Sequence, residues 1–343
     1  MLYSKIVLAS AKPAAAVKKS GMPVDAEEKR MDQYCIGVDV GGTSVKFGLF
    51  SGEGDLLERW SIRTRTAEKG KYILGDIAES IASKMEEKNL RRNNLIGIGI
   101  GIPGPTQSDG YVEVCVNLGW EDLNPAKELQ ALLGVPVFAG NDANVAALGE
   151  MWKGGGEGYR DVVLFTLGTG VGGGVILDGK ILAGHRGLAG ELGHITVNPD
   201  EPEACNCGNH GCLEQYASAT GVARVAAKIL RESSKDSALR GLRRFSAKDV
   251  FDAAKKGDEL SLQAVEVLGK YLGRVCATVA LTVDPDVFVI GGGVSKAGPI
   301  LTDVISKYYK FYTPLTEKKV PVVLAELGND AGIYGAARMA LDH

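Results

Sequence analysis

The sequence predicts an α/β protein of two domains, and three observations carry that prediction. From residue 33 to the C-terminus, apolar strand-like runs alternate with helical segments, the pattern of sheets covered by helices. A strand–glycine–strand unit occurs twice, about 130 residues apart, as a degenerate internal repeat. The chain has 343 residues, 45% hydrophobic and 24% charged, enough material for two cores.

The elements follow in order. Residues 1–30 are Ala/Lys-rich, interrupted by Pro13 and Pro23, and show no sustained period. Their apolar core is too short for a signal peptide, so they read as a disordered extension, or as sequence upstream of a start at Met31, without chemistry. Next come the strand "YCIGVDV", the turn "GGT", the strand "SVKFGLF", the turn "SGEGD" and "LLERWSIRT". An amphipathic helix over 71–88 precedes the apolar strand Leu95–Ile102 and the turn-rich "PGPTQSDG". A short helix at Pro125–Leu133 leads into the strand "VPVFAGND", where Asn141 and Asp142 open a helix. From Asp161, "DVVLFTLGTGVGGGVILDGKILAG" repeats the first hairpin pattern and turns into a third strand. Helices at Ala219–Glu232, 247–256 and 260–283 follow a cysteine cluster. The chain closes with the strand "DVFVIGG", a helix over 299–309, the strand "VPVVLAE" and the helix "DAGIYGAARMALDH".

Composition excludes several classes. A net charge of −3 argues against a nucleic-acid or anionic-membrane surface, and no apolar run approaches the roughly 18 residues of a bilayer span. Six cysteines in a chain this long do not form a disulfide scaffold. Three of them, Cys205, Cys207 and Cys212, crowd together, which in a reducing compartment points to metal.

Three glycine clusters each follow an apolar strand. In "DVGGT", Gly41 and Gly42 let backbone N–H groups approach phosphate oxygens, Asp39 can hold a magnesium ion through water, and Thr43 can donate a hydroxyl. "LGTGVGGG" offers Thr169 and Gly170 from a second hairpin, and "VIGGGVSKAG" offers Gly292 and Gly293 as a seat for a nucleoside. Any one cluster is more often a structural turn, and none is a P-loop; their order is what points to a polyphosphate. Asp142 is open between a helix N-cap and a general base. His194 eleven residues before C-x-C-x₄-C is not an ordinary zinc-finger spacing, so spacing alone leaves the metal undecided, while a redox role lacks a thioredoxin-like setting.

The segments "GVDVGGTSVKFG", "NDANVAALGE", "TLGTGVGGGVI", "GELGH", "CNCGNHGCLE" and "IGGGV" come in the order of the ROK family (repressors, open reading frames and sugar kinases), which the chain resembles from about Ile36 onward. The resemblance implies a two-domain actin-like ATPase (ribonuclease H-like) fold with a small zinc-binding loop, sugar and nucleotide lying between the lobes. The lobes would be 31–147 plus 326–343, and 148–325. "CLEQYASATG" and "NLGW" are most similar to the glucose-phosphorylating branch, implying ATP-dependent phosphorylation of a glucose 6-hydroxyl in the cytoplasm. Kinases of N-acetylglucosamine, N-acetylmannosamine, mannose or fructose are the alternative. The resemblance implies Asp142 as general base, with sugar contacts from Gly104, Asn117, Asn141, Asp142, Glu191, His194 and Glu214. It implies Mg2+-ATP across Asp39, Gly41, Gly42, Thr43, Thr169, Gly170, Gly292 and Gly293. His194, Cys205, Cys207 and Cys212 would close a structural zinc site with no open position. Lys46 could reach phosphate or face solvent and is left unassigned. Family members are usually dimers or tetramers. A ROK regulator is the rival, but only 38 residues precede Asp39, against the roughly 60 that a winged helix-turn-helix needs.

Overall fold

The computed structural model describes residues 33–343, so the expected extension over 1–30 lies outside the described residues. The first hairpin forms β1 (Tyr34–Val40) and β2 (Ser44–Ser51), and β3 (Leu56–Arg63) completes an antiparallel meander. β1 is a nearly continuous apolar run because neighbours cover it on both sides and on both faces. β3 alternates half-buried and exposed residues, as an edge strand with one wet face should.

Helix α1 (Ile73–Glu87) buries Ile73, Ile77 and Ile81 at a spacing of four, and β4 (Leu95–Ile102) then runs parallel to β1. A two-stranded ribbon, β5 (Val112–Cys115) with β6 (Trp120–Leu123), follows; the sequence pattern does not announce it, since each strand has only four residues. Helix α2 (Pro125–Leu133) starts with Asn124 accepting from the Lys127 N–H at 3.0 Å and a proline in the first turn, and stops at left-handed Gly134. Strand β7 (Val137–Asn141) leads directly into α3 (Asp142–Lys153).

The second half is built from β8 (Val162–Leu167), β9 (Val171–Leu177), β10 (Lys180–Ile181), α4 (Ala219–Glu232), α5 (Ala247–Lys255), α6 (Glu259–Val283), β11 (Val287–Gly291), α7 (Pro299–Tyr312), β12 (Val322–Leu324) and α8 (Ala331–Leu341). The sheets have orders β3-β2-β1-β4-β7 and β10-β9-β8-β11-β12. These are the same topology: an antiparallel meander, then two strands added in parallel beside its first member. The internal repeat read from the glycine hairpins thus extends to the whole sheet.

Each sheet has its own core. Ile36, Val38, Phe47, Ile98 and Ile100 pack with α1 and α2, while Phe165, Phe288 and Ile290 pack with α4 to α7. Between the sheets, α8 covers β1 and β4, α3 covers β8 and β9, and the two helices pack on each other. Their approach is close enough that a Cβ at Gly335 would lie 1.7 Å from the Val145 carbonyl oxygen. The expected boundary at 147/148 falls inside α3. Among the described residues no helix is long and apolar enough to cross a membrane.

Candidate active site

The site forms where β4 and β7 end and β9 begins. Asn141, extended and 8% exposed, is the N-cap of α3: its Oδ1 accepts from the N–H groups of Ala143 (3.0 Å) and Asn144 (3.1 Å). Its Nδ2 donates to the Gly104 carbonyl at 3.2 Å, fixing the loop after β4. Asn141 takes the cap, and Asp142 stands at the first helical position, where its Oδ1 shares the Ala143 N–H at 2.8 Å.

A cavity of about 180 Å³ opens over this helix start, lined by Pro103, Gly104, Asn117, Asn141, Asp142, Ala143, Gly172, Gly173 and Glu191. Five expected sugar contacts, Gly104, Asn117, Asn141, Asp142 and Glu191, therefore share one hollow. Glycines on β9 make this possible. A Cβ at Gly173 would lie 2.4 Å from the Gly190 carbonyl oxygen, and one at Gly174 would lie 2.5 Å from that of Ala143.

Asp142 is the electrostatically distinctive group. Burial pushes its carboxyl up from 3.8 to about 6; the Ala143 N–H opposes the rise, and the Asp39 and Glu191 charges add to it. No cation among the described residues pairs with it. A buried carboxylate with an affinity for protons tuned toward neutrality, facing a polar hollow, is suited to accept a proton from a bound hydroxyl.

At the first glycine turn, Asp39 lies one residue before the end of β1, beside Gly41–Gly42–Thr43. The turn is braced by the Thr64 hydroxyl donating to the Gly41 carbonyl at 2.6 Å, and Gly42 and Thr43 are exposed. Lys46, which the sequence left unassigned, pairs with Asp39 at 3.2 Å and donates to the Asn329 carbonyl at 3.2 Å. The β1–β2 register offers the missed signal: Asp39 lies directly across from Lys46 in the ladder, so the two sit symmetrically about the turn. The second turn is held from α4, where the Ala219 N–H donates to Gly168 O and the Thr220 hydroxyl to Thr169 O, both at 2.8 Å. Gly292 packs on the Leu167 backbone just before that turn, so the second and third glycine clusters are neighbours.

The cysteine segment folds against the same region. The donor atoms of His194, Cys205, Cys207 and Cys212 lie within 4.8 Å of one another. Cys207 Sγ and Cys212 Sγ are 3.7 Å apart, close to the about 3.8 Å edge of a tetrahedron with 2.3 Å zinc–sulfur bonds. The residues therefore fit a tetrahedral metal ion. His194 Nδ1 faces Cys205 at 3.9 Å and its Nε2 faces Glu191 at 3.9 Å, so one ring nitrogen points at the donor set and the other at a carboxylate that lines the cavity. Glu214 stands apart from the cavity lining: it accepts from the Val171 N–H at 3.0 Å, and Cys205 Sγ lies 3.6 Å from its other oxygen. Glu201, Arg224 and Tyr216 clasp the loop from outside, with both Arg224 contacts to Glu201 and Glu203 at 3.0 Å.

Two sheets of one topology, with glycine turns at the strand ends and a buried carboxylate in the cleft, define an α/β protein of the actin-like kind. The chain matches the ROK family over residues 35–343 and belongs to it. It is 43% identical to a glucokinase of Halalkalibacterium halodurans, covering 89% of this chain and 94% of that one, and 38% identical to a glucokinase of Thermotoga maritima, covering 88% and 95%. A crystal structure of a ROK family glucokinase from Streptomyces griseus in complex with glucose and AMPPNP superposes with a TM-score of 0.71 at 34% identity, covering 90% of this chain and all of that one.

Proposed function

We propose that the protein phosphorylates the 6-hydroxyl of glucose with Mg2+-ATP. The observation that carries this reading is Asp142: a buried, cation-free carboxylate raised to about 6 in a polar cavity also lined by Asn117, Asn141 and Glu191. Glucokinase relatives that align over nearly their whole length support the choice of sugar, and the AMPPNP in the Streptomyces griseus complex supports the donor.

In this reading glucose occupies the cavity with its primary alcohol at Asp142. The alcohol oxygen forms a bond to the γ-phosphorus as the bond from that phosphorus to the β,γ-bridging oxygen breaks. ADP carries away the electron pair, and the alcohol proton passes to Asp142. Asn141, Asn117 and Glu191 match donors and acceptors to ring hydroxyls, which penalises analogues lacking one. Asp39 would hold Mg2+ through water, the turns at 41–43 and 168–170 would cradle the phosphates, and Gly292 and Gly293 would leave room for the nucleoside. His194, Cys205, Cys207 and Cys212 would hold a structural zinc ion, which fixes the His194 ring; Glu214 would tie that loop to the second turn. The lobes would be 31–147 plus 326–343, and 148–325, working in the cytoplasm as a homodimer or homotetramer.

The test is ADP release from purified protein with Mg2+-ATP and a panel of hexoses, with the product identified by phosphorus NMR. Glucose 6-phosphate as the main product is expected. ADP released only with N-acetylmannosamine would overturn the sugar and keep the kinase; no sugar-dependent release would overturn both.

A further inference from the structure

We propose that Asn144 is a positioning residue that locks the Glu191 wall of the sugar cavity to the helix start bearing Asp142, an inference that rests on the hexokinase reading for its functional consequence. Asn144 is 2% exposed and makes three hydrogen bonds to three different segments. Its backbone N–H donates to the Asn141 cap at 3.1 Å. Its Oδ1 accepts from the Val175 N–H of β9 at 3.2 Å, and its Nδ2 donates to the Ala189 carbonyl at 3.2 Å.

The last bond is the informative one. Within residues 183–191 the Ala189 N–H donates to Ala183 O and the Glu191 N–H to Leu188 O, while Gly187 packs against the Thr106 backbone and Gly190 against the Gly173 carbonyl. Gly190, in the left-handed region at φ 98°, sits so close that a Cβ there would lie 3.0 Å from Asn144 Oδ1. Ala189 and Gly190 immediately precede Glu191, so the Asn144 amide fixes the stem from which that carboxylate reaches the cavity.

The helix itself does not need this amide. The sequence Gly140–Asn141–Asp142–Ala143 recurs as Gly328–Asn329–Asp330–Ala331 at the start of α8, and the residue that follows is Gly332 in place of Asn144. The second copy packs that position directly on Asp39 and makes no bridge to a loop. The amide at 144 is therefore specific to the half of the molecule that holds the sugar cavity.

Two variants separate the roles. Asn144→Asp keeps the acceptor for Val175 and loses the donor to Ala189; Asn144→Ala loses both. Hydrogen–deuterium exchange without ligands should show faster exchange in a peptide covering 183–191 in both variants, with β8 unchanged. The glucose KM should rise roughly 5- to 150-fold, the equivalent of the ~1–3 kcal/mol of one unsatisfied buried polar group, with the ATP KM within about twofold of wild type. Unchanged exchange in 183–191 would overturn the proposal whatever the enzyme's substrate. So would a lower melting temperature with the glucose KM unmoved, or both KM values rising together. A wild type without hexose-dependent ADP release would instead refute the hexokinase reading and leave the exchange result to judge the bridge.

Discussion

Asp142→Asn should remove turnover and raise stability at the same time, a combination that a purely structural aspartate would not give. The wild-type carboxyl is raised from 3.8 to about 6, chiefly by burial and then by Asp39 and Glu191. A folded-state value above the unfolded one means that the folded protein holds this proton more tightly. The cost of ionising it is absent below about pH 4, grows as pH rises from 4 to 6, and is complete above that. At about 1.4 kcal/mol per pH unit, the charged form costs about 3 kcal/mol at pH 8. Asparagine is neutral and nearly isosteric, and its Oδ1 can keep the 2.8 Å bond from the Ala143 N–H. At about 2 °C per kcal/mol for a large domain, the variant should melt roughly 6 °C above wild type at pH 8. The gap should nearly vanish by pH 4, and carboxylates remote from Asp142 cancel in the difference. Turnover should fall on the order of 10²- to 10⁴-fold, and the wild-type rate should itself decline below about pH 6. Scanning fluorimetry from pH 4 to 8 with a coupled ADP assay measures both. A melting difference independent of pH, or turnover near wild type, would refute the reasoning.

Three further perturbations probe the surroundings. Cys207→Ser removes one donor from the cluster, so plasma mass spectrometry should find about one zinc per wild-type chain and almost none in the variant, with a raised glucose KM. Arg224→Met strands Glu201, whose side chain is 9% exposed, and should cost roughly 2 kcal/mol in urea unfolding at pH 7. Arg224 holds the Glu201 carboxyl down at about 2, so the wild-type advantage is present above about pH 4.5 and should shrink as pH falls toward 2. Gly170→Ala would put a Cβ 2.2 Å from Glu214 Oε2, so the second turn or the carboxylate must shift; kcat/KM for ATP should drop about 10- to 100-fold while circular dichroism is unchanged.

What the sequence made legible, and what it hid, divides along a physical line. β1, β4 and β11 were readable because a strand covered on both faces is apolar throughout, and α4 because its apolar residues keep helical spacing. The ribbon of β5 and β6 was not readable: its period covers four residues per strand, and left-handed Gly119 reads as one more loop glycine. Helix α7 runs three residues past the expected end, to Tyr312, and stops where Thr313 precedes Pro314 and leaves the helical region. At the site, the motifs named five of the nine residues that line the cavity, but which of Asn141 and Asp142 caps the helix needed backbone angles. The bridge from Asn144 to Ala189 spans 45 residues, and no local pattern encodes it.

The duplicated Gly–Asn–Asp–Ala shows how one local sequence acquires two fates. Both copies follow the last strand of their sheet and open the helix that packs on the other copy's helix. In the first, Asn141 is extended and caps α3, and Asp142 turns into a cavity with no cation in reach. In the second, Asn329 lies in a 3₁₀ turn without a side-chain cap. Its carbonyl accepts from Lys46, and Asp330 pairs with Arg59 at 2.6 Å. Asp330 is already engaged by the Arg59 guanidinium at the surface, whereas burial without a partner raises the Asp142 carboxyl toward neutral pH. The difference lies in the partners that β2 and β3 contribute to one copy and that β9, with its three glycines, withholds from the other.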